Sequence, residues 1–307
     1  YSAIQLFDQG KYSEALDKWT NVLRLNQMSV LAHNGVGKAY LYEQKYEEAM
    51  AQFKVAGNRT FYSKAFWEIR NTWLQSNLGI FLGAIVALSL FSMGEKYLDR
   101  KRYLRSFAGQ VKDGLLSIRF LSDIKGSYAA AAVLYILFFF AFMLYQIGKD
   151  FIFQFTAVED MDLNAIVWGF FGISCLFVVC NYLVTSINNG EGSLGDVFKA
   201  LAYATVPLTL TLAGITALTY VVTYNEVFLL EFALQVGTAW SCIILFLGLQ
   251  EMHNYDIRTT IKSLLLTLLF MLIMTVVLLM LIVMFDQFKQ FVESFVKEIV
   301  SNAMDQI

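Results

Sequence analysis

The chain has 307 residues, of which 57% are hydrophobic and only 16% charged, with a single proline. A soluble domain is nearer 45–50% apolar and about 25% charged, so this is the composition of a membrane protein and excludes a disordered scaffold or a small disulfide framework. With 23 basic against 25 acidic residues the formal charge is −2, which offers no global field to a polyanion and excludes a conventional nucleic-acid binder.

Residues 1–75 read as a soluble helical domain that repeats itself. Tyr12 matches Tyr46, Ala15 matches Ala49 and Trp19 matches Phe53, each 34 residues apart, in the strings GKYSEALDKWTNVL and QKYEEAMAQFKVAG. Gly37 and Tyr40 lie in the preceding helix of the second unit. Small residues let paired helices approach and aromatic ones fill the gap between them, and this period with this composition resembles tetratricopeptide repeats. Gln44 stands where such repeats usually carry glycine, and neither unit has the usual closing proline. The chain starts at Tyr1, partway through a first helix, so it is expected to be a portion of something longer. Two repeats alone are marginal, since each buries its apolar face only against neighbours. The stretch FYSKAFWEIRNTWL (61–74) is expected to cap the array and run on into the membrane.

From residue 76 onward the chain is bilayer material. Five stretches carry no charge and reach the roughly 20 apolar residues a bilayer requires: 126–148, 163–190, 200–225, 232–250 and 263–285. A shorter stretch, 78–93 within 76–94, continues a helix already under way and makes a sixth span. The runs are too long and too continuous for a β-barrel. The expected fold class is therefore all-α: a short repeat array followed by a polytopic bundle of about six transmembrane helices.

Basic residues set the expected orientation. Residues 95–125 hold eight of them and four acidic ones, with Leu98, Leu104, Phe107, Val111 and Leu115 interspersed. That pattern suits a basic amphipathic linker on an anionic inner leaflet. The loop 149–162 holds only Lys149, and 224–230 holds no basic residue. The positive-inside rule then places 95–125 in the cytoplasm and both termini outside it. The tail 287–307 continues an apolar series of Phe285, Phe288, Val292, Phe295, Ile299 and Ala303 at steps of three and four. Its polar face is net acidic, which favours packing against protein over lipid.

Several residues within the bundle invite a functional reading. Gly190, Gly192 and Gly195 spell GxGxxG, but they join two membrane helices where a dinucleotide site needs a strand before and a helix after in a parallel sheet. They read instead as a tight turn with positive φ. His253, beside Glu251 and Asp256, reads as a solvated helix end, with a proton relay as the sharper alternative. Glu231 and Gln235 lie one turn apart early in a span, where a carboxylate is costly but close enough to the loop to reach water. Asn181 is a candidate interior polar contact. Cys175, Cys180 and Cys242 read as small apolar packing residues. No GK[ST] loop, HExxH, GxSxG or paired ligand spacing occurs, so no catalytic residue, cofactor or metal is expected.

Three segments carry a wider resemblance: FLSDIKGSYAAAAVLYIL (120–137), NYLVTSINNGEGSLGDVFKALAYATVP (181–207), which ends on Pro207, and GTAWSCIILFLGLQEMHNYD (237–256), with Trp240 in its span and His253 just past it. Over about 107–286 the chain resembles a bacterial Yip1-family membrane domain of five spans. The resemblance implies a multi-pass protein of the bacterial cell membrane without catalytic activity. It also implies an accessory or scaffold role beside other membrane subunits, the permease and solute-binding components of a carbohydrate-type ABC transporter among them, with the bilayer and no nucleic acid as further partners. The alternative is a solute carrier or channel with Pro207, Glu231 and Asn181 near a path.

Overall fold

The computed structural model describes residues 2–97 and 128–304, with side chains over 2–80 and 128–297. The described part is all-α. It runs α1 (Ser2–Asp8), α2 (Tyr12–Leu25), α3 (Val30–Tyr42), α4 (Tyr46–Val55), α5 (Arg59–Tyr97), α6 (Tyr128–Ile147), α7 (Leu163–Ile187), α8 (Leu194–Ala204), α9 (Val206–Leu218), α10 (Val227–Met252) and α11 (Ile257–Met304). It forms two compact units. The first takes the N-terminal helices with Ala132–Asp162 and Ala204–Ile243. The second takes Leu163–Tyr203, the chain from Ile244 onward and the first turn of α6.

In the first unit, α1 to α5 make antiparallel hairpins. Ala15, Ala49 and Phe53 are fully buried and Trp19 nearly so. The Trp19 ring lies where a Cβ on Gly35 would be, and a Cβ on Gly37 would come within 2.7 Å of the Phe53 ring, so glycine at both places is a condition of the helix spacing. Tyr12, Tyr40 and Tyr46 are half-buried at the edges of these contacts, with Tyr12 stacked on Tyr42 at 4.7 Å between ring centroids.

The turns of the array repeat as well. Gly10 (φ 76°), Gln44 (φ 61°) and Gly57 (φ 67°) all sit in the left-handed region. Each follows a helix with the same pair of closing bonds: Lys11 N–H to Leu6 O, Lys45 N–H to Tyr40 O and Asn58 N–H to Phe53 O, all 2.9 Å, with a shorter-range bond beside each. This is the Schellman closure, which satisfies the last carbonyls of a helix at the cost of one left-handed residue.

The array shares its core with two loops of the same unit. Phe53, Tyr62 and Ala65 pack in one cluster with Ile152 and Phe153, from the loop after α6, and with Val222 and Leu230. Ile152 is fully buried.

Among the described residues five helical segments are long and apolar enough to span a bilayer: Tyr128–Ile147, Leu163–Ile187, Leu194–Leu218, Tyr224–Met252 and Ile257–Lys297. The third starts six residues earlier than the expected 200 and ends at Leu218 where 225 was expected. Thr205 breaks it into α8 and α9, with Pro207 in the first turn of α9, where a missing N–H is tolerated. The Leu208 N–H donates to Ser241 Oγ of α10 at 3.1 Å. The expected stretch 78–93 lies on α5, a single helix of 39 residues, but its side chains beyond Ile80 lie outside the described residues. The same holds for the basic segment 98–127. The tail 287–307 is, as far as Met304, the end of α11, one helix of 48 residues that begins at Ile257. Its described side chains from Leu281 to Lys297 are all exposed, so among the described residues nothing packs on this face. Cys180 is buried as expected, whereas Cys175 and Cys242 face outward.

Gln44 pays the left-handed penalty that Gly10 and Gly57 avoid. Replacing Gln44 by glycine is expected to stabilise the array by about 0.5–1 kcal/mol. A thermal melt followed by tryptophan fluorescence checks it; an unchanged or lower midpoint contradicts the strain.

Candidate functional site

The second unit gathers four of the sequence candidates into one polar seam. The turn between α7 and α8 wraps the ring of His253, which is only 2% exposed. The Gly192 N–H donates to His253 Nδ1 at 3.2 Å. A Cβ on Gly190 would fall 2.7 Å from that nitrogen and 2.6 Å from the Tyr255 hydroxyl, and one on Gly192 would fall 2.7 Å from His253 Cε1. The expected role of these glycines is thereby corrected. The left-handed residue of the turn is Asn189 (φ 56°), and neither Gly190 nor Gly192 has positive φ. They are glycines because the imidazole and phenol leave no room for a side chain. Gly195 likewise meets the Tyr128 ring. His253 is correspondingly no solvated helix end.

The backbone N–H is an unambiguous donor, so Nδ1 accepts and the neutral ring carries its proton on Nε2. Burial lowers the pKa of His253 below its usual 6.5, and the nearby Asp196 opposes this. The ring also stacks on Tyr255 at 5.4 Å. Tyr255 donates to the carbonyls of Thr185 and Asn188, both at 3.2 Å, closing the end of α7.

From there the seam runs into the span. Asn181 (1% exposed) donates from Nδ2 to Thr267 Oγ1 at 3.2 Å, and Thr267 donates in turn to the Ser263 carbonyl at 2.8 Å. Thr185 donates to the Asn181 carbonyl at 2.8 Å. Thr260, Ser263 and Thr267 are all buried. Three buried atoms on this seam have no partner among the described residues: Asn181 Oδ1, Ser263 Oγ and His253 Nε2. In a bilayer such atoms are costly, and polar interior side chains there mark helix contacts or functional positions.

The first unit carries the other candidates. Pro207 and Trp240 line an apolar cavity of about 460 Å³ between α9 and α10, together with Gly214, Phe232 and Gly237. Glu231 is exposed and is not among the residues that line it, and Asn181 belongs to the other unit.

Sequence reading missed the contacts that tie the array to its loops. Arg70 of α5 grips Glu226 with both terminal nitrogens, at 2.6 and 2.9 Å, and also donates to the Val221 carbonyl at 2.9 Å. The Thr223 N–H donates to the same carboxylate at 2.9 Å. Ser63 Oγ accepts from the Tyr224 N–H at 2.8 Å. Arg59 donates to the carbonyls of Phe151 (3.3 Å) and Gln154 (2.8 Å) and lies over the rings of Phe151 and Phe155. Beside these contacts a second cavity, of about 410 Å³, opens between α3–α5 and the Thr223–Asn225 turn. Arg70 and Glu226 are 156 residues apart, and no local pattern marks them as partners. Thr260, Ser263 and Thr267 were legible in principle, as polar residues on one face of an otherwise apolar helix.

The Yip1 domain family matches residues 113–285, which is more than half of the chain. The chain therefore belongs to that family. No family match covers the N-terminal array. No curated protein and no solved structure matches the chain.

Between the lowered folded pKa of His253 and the free value of 6.5, the unfolded chain takes up a proton that the folded chain does not. Stability is expected to be full above that window and to fall as pH drops through it. Thermal melts in detergent from pH 7.5 to 5.5 read this against His253→Asn, which keeps an acceptor for the Gly192 N–H. The wild type should lose more stability than the variant on acidification. Equal losses would remove His253 as the cause.

Proposed function

We propose that this Yip1-domain protein is a non-enzymatic scaffold subunit of a bacterial membrane complex, its N-terminal array holding a partner. The observation that carries the reading is the fastening of a repeat-built array to membrane loops of the same unit. Arg59 and Arg70 bind loop carbonyls and Glu226, and Ile152 and Phe153 fill the array's core. Such an array presents a fixed face, which lowers the ordering cost of binding. The 34-residue spacing, with Ala15 and Ala49 buried at matching places, supports reading it as tetratricopeptide repeats. Yip1 proteins are generally non-enzymatic and related to membrane trafficking or transport.

The loops that hold the array are poor in basic residues, while 95–125 is rich in them. The positive-inside rule then supports an extracytoplasmic array and a cytoplasmic 95–125. On that side the partner is an external component or a neighbouring permease, and a carbohydrate-type ABC importer is the specific complex we propose.

Purification of the full chain in mild detergent is expected to bring down stoichiometric membrane subunits. Arg70→Ala, which frees α5 from Glu226, is expected to reduce their recovery several-fold. A monodisperse lone protein in several detergents would count against the scaffold. In intact cells an impermeant thiol reagent should label Ser2→Cys and spare Ser106→Cys; the reverse pattern would put the array in the cytoplasm.

A further inference from the structure

The cavity beside the Thr223–Asn225 turn has a chemistry that the scaffold role leaves unused. Its walls are aromatic: Tyr42, Tyr46, Trp67 and Tyr224 all line it. Three of these are well exposed, Tyr42 at 58%, Trp67 at 43% and Tyr224 at 40%. Two opposite charges share the same lining, Lys64 and Glu68, one turn apart on α5. No ion pair joins them among the described residues. The order is the unfavourable one, since a helical pair gains more with glutamate N-terminal to lysine. The Lys64 ammonium lies 4.9 Å from the Phe61 ring centroid. Ser63 is buried at the cavity, and because its Oγ accepts from the Tyr224 N–H its own hydroxyl proton is left to donate elsewhere.

The cavity also has a definite depth. Tyr224 opens the segment Tyr224–Met252 that is apolar enough to span a bilayer. The first strongly exposed apolar residue of α10 is Phe228, four residues later and 60% exposed. Tyr224 lies on the loop side of it, at the end of that segment. The headgroup layer is itself about 5–8 Å thick on each side. Where that segment crosses a bilayer, the cavity at its end is level with this layer.

From these observations we infer that the cavity binds a zwitterionic phospholipid headgroup, with its phosphate toward Lys64 and Ser63 and its ammonium toward Glu68 and the aromatic faces. An ammonium gains from a carboxylate and from aromatic faces together. A purely anionic headgroup meets Lys64 but is repelled by Glu68 one turn away. A peptide in the same cavity would gain nothing from the headgroup depth. The inference stands apart from the scaffold reading, since it needs no protein partner.

The test is native mass spectrometry of the full chain equilibrated with equimolar phosphatidylethanolamine and phosphatidylglycerol in detergent. The wild type is expected to retain phosphatidylethanolamine about five-fold over phosphatidylglycerol. Glu68→Gln should bring the two to near parity, and Lys64→Ala should reduce retention of both. Glu47→Gln, exposed on α4 and outside the cavity, should leave the preference intact. Both cavity variants alter side chains at the surface of α5, and unchanged helical circular dichroism verifies that they fold. Equal retention of the two lipids by the wild type, or a preference that survives both Glu68→Gln and Lys64→Ala, would overturn the assignment. Binding of free glycerophosphoethanolamine without retention of the whole lipid would overturn its membrane source.

Discussion

Two guanidinium groups on one helix decide how the first unit is put together. Surface ion pairs contribute little, because water competes for both charges and the side chains lose freedom. The pair of Arg70 and Glu226 differs in three ways. It is bidentate, its arginine side chain is only 15% exposed, and the carboxylate is also held by the Thr223 N–H. A charge in that setting has no cheap alternative partner, so losing either side strands the other. Arg59, three turns earlier on the same helix, does for the loop after α6 what Arg70 does for the loop after α9. Because α5 is unbroken from Arg59 to Tyr97, both grips act on one rigid element.

Much of this was legible where periodicity carries the information. The repeat spacing pointed to Ala15, Trp19, Ala49 and Phe53, and charge-free runs marked the five spans the structure describes. Boundaries were less legible. The third span extends upstream because α8 is amphipathic, with Asp196 and Lys199 paired to each other at 2.9 Å, and a charge-free criterion stops at them. The glycines of 190–195 were recognised as a turn, but for the wrong reason. A glycine needed for positive φ and a glycine needed for close approach look alike in sequence, and only the ring of His253, some sixty residues on, tells them apart. Long-range pairs such as Arg70 with Glu226 leave no local trace at all.

The polar seam of the second unit shows what the bilayer demands of such turns. His253 would be the cheapest residue to leave in water, at the end of a membrane helix. It is instead enclosed by backbone, and this is possible only because Gly190 and Gly192 carry no side chain where the ring lies, while the Gly192 N–H donates to it. The Gly192 N–H is satisfied by imidazole where a helix carbonyl would otherwise serve. Tyr255 closes the last carbonyls of α7 in the same economy. Asn181 and Thr267 continue that exchange inside the span, with α7 and α11 each supplying a hydroxyl or amide that lipid could not.

The array meets the complementary problem. A stack of two hairpins has end faces, and a repeat buries its apolar side only against a neighbour. At the α4–α5 end that neighbour is not another repeat. Ile152, Phe153 and Val222 from the membrane loops occupy the place, packed against Phe53, Tyr62 and Ala65. The loops thus act as the cap that a longer array would supply for itself. This accounts for a loop of modest length burying Ile152 completely, although loops ordinarily lie on the surface. The array and the loops also share their stabilising contacts, because the same apolar cluster and the same two arginines serve both. An array capped in this way has the geometry of its α4–α5 end set by the loops packed against it.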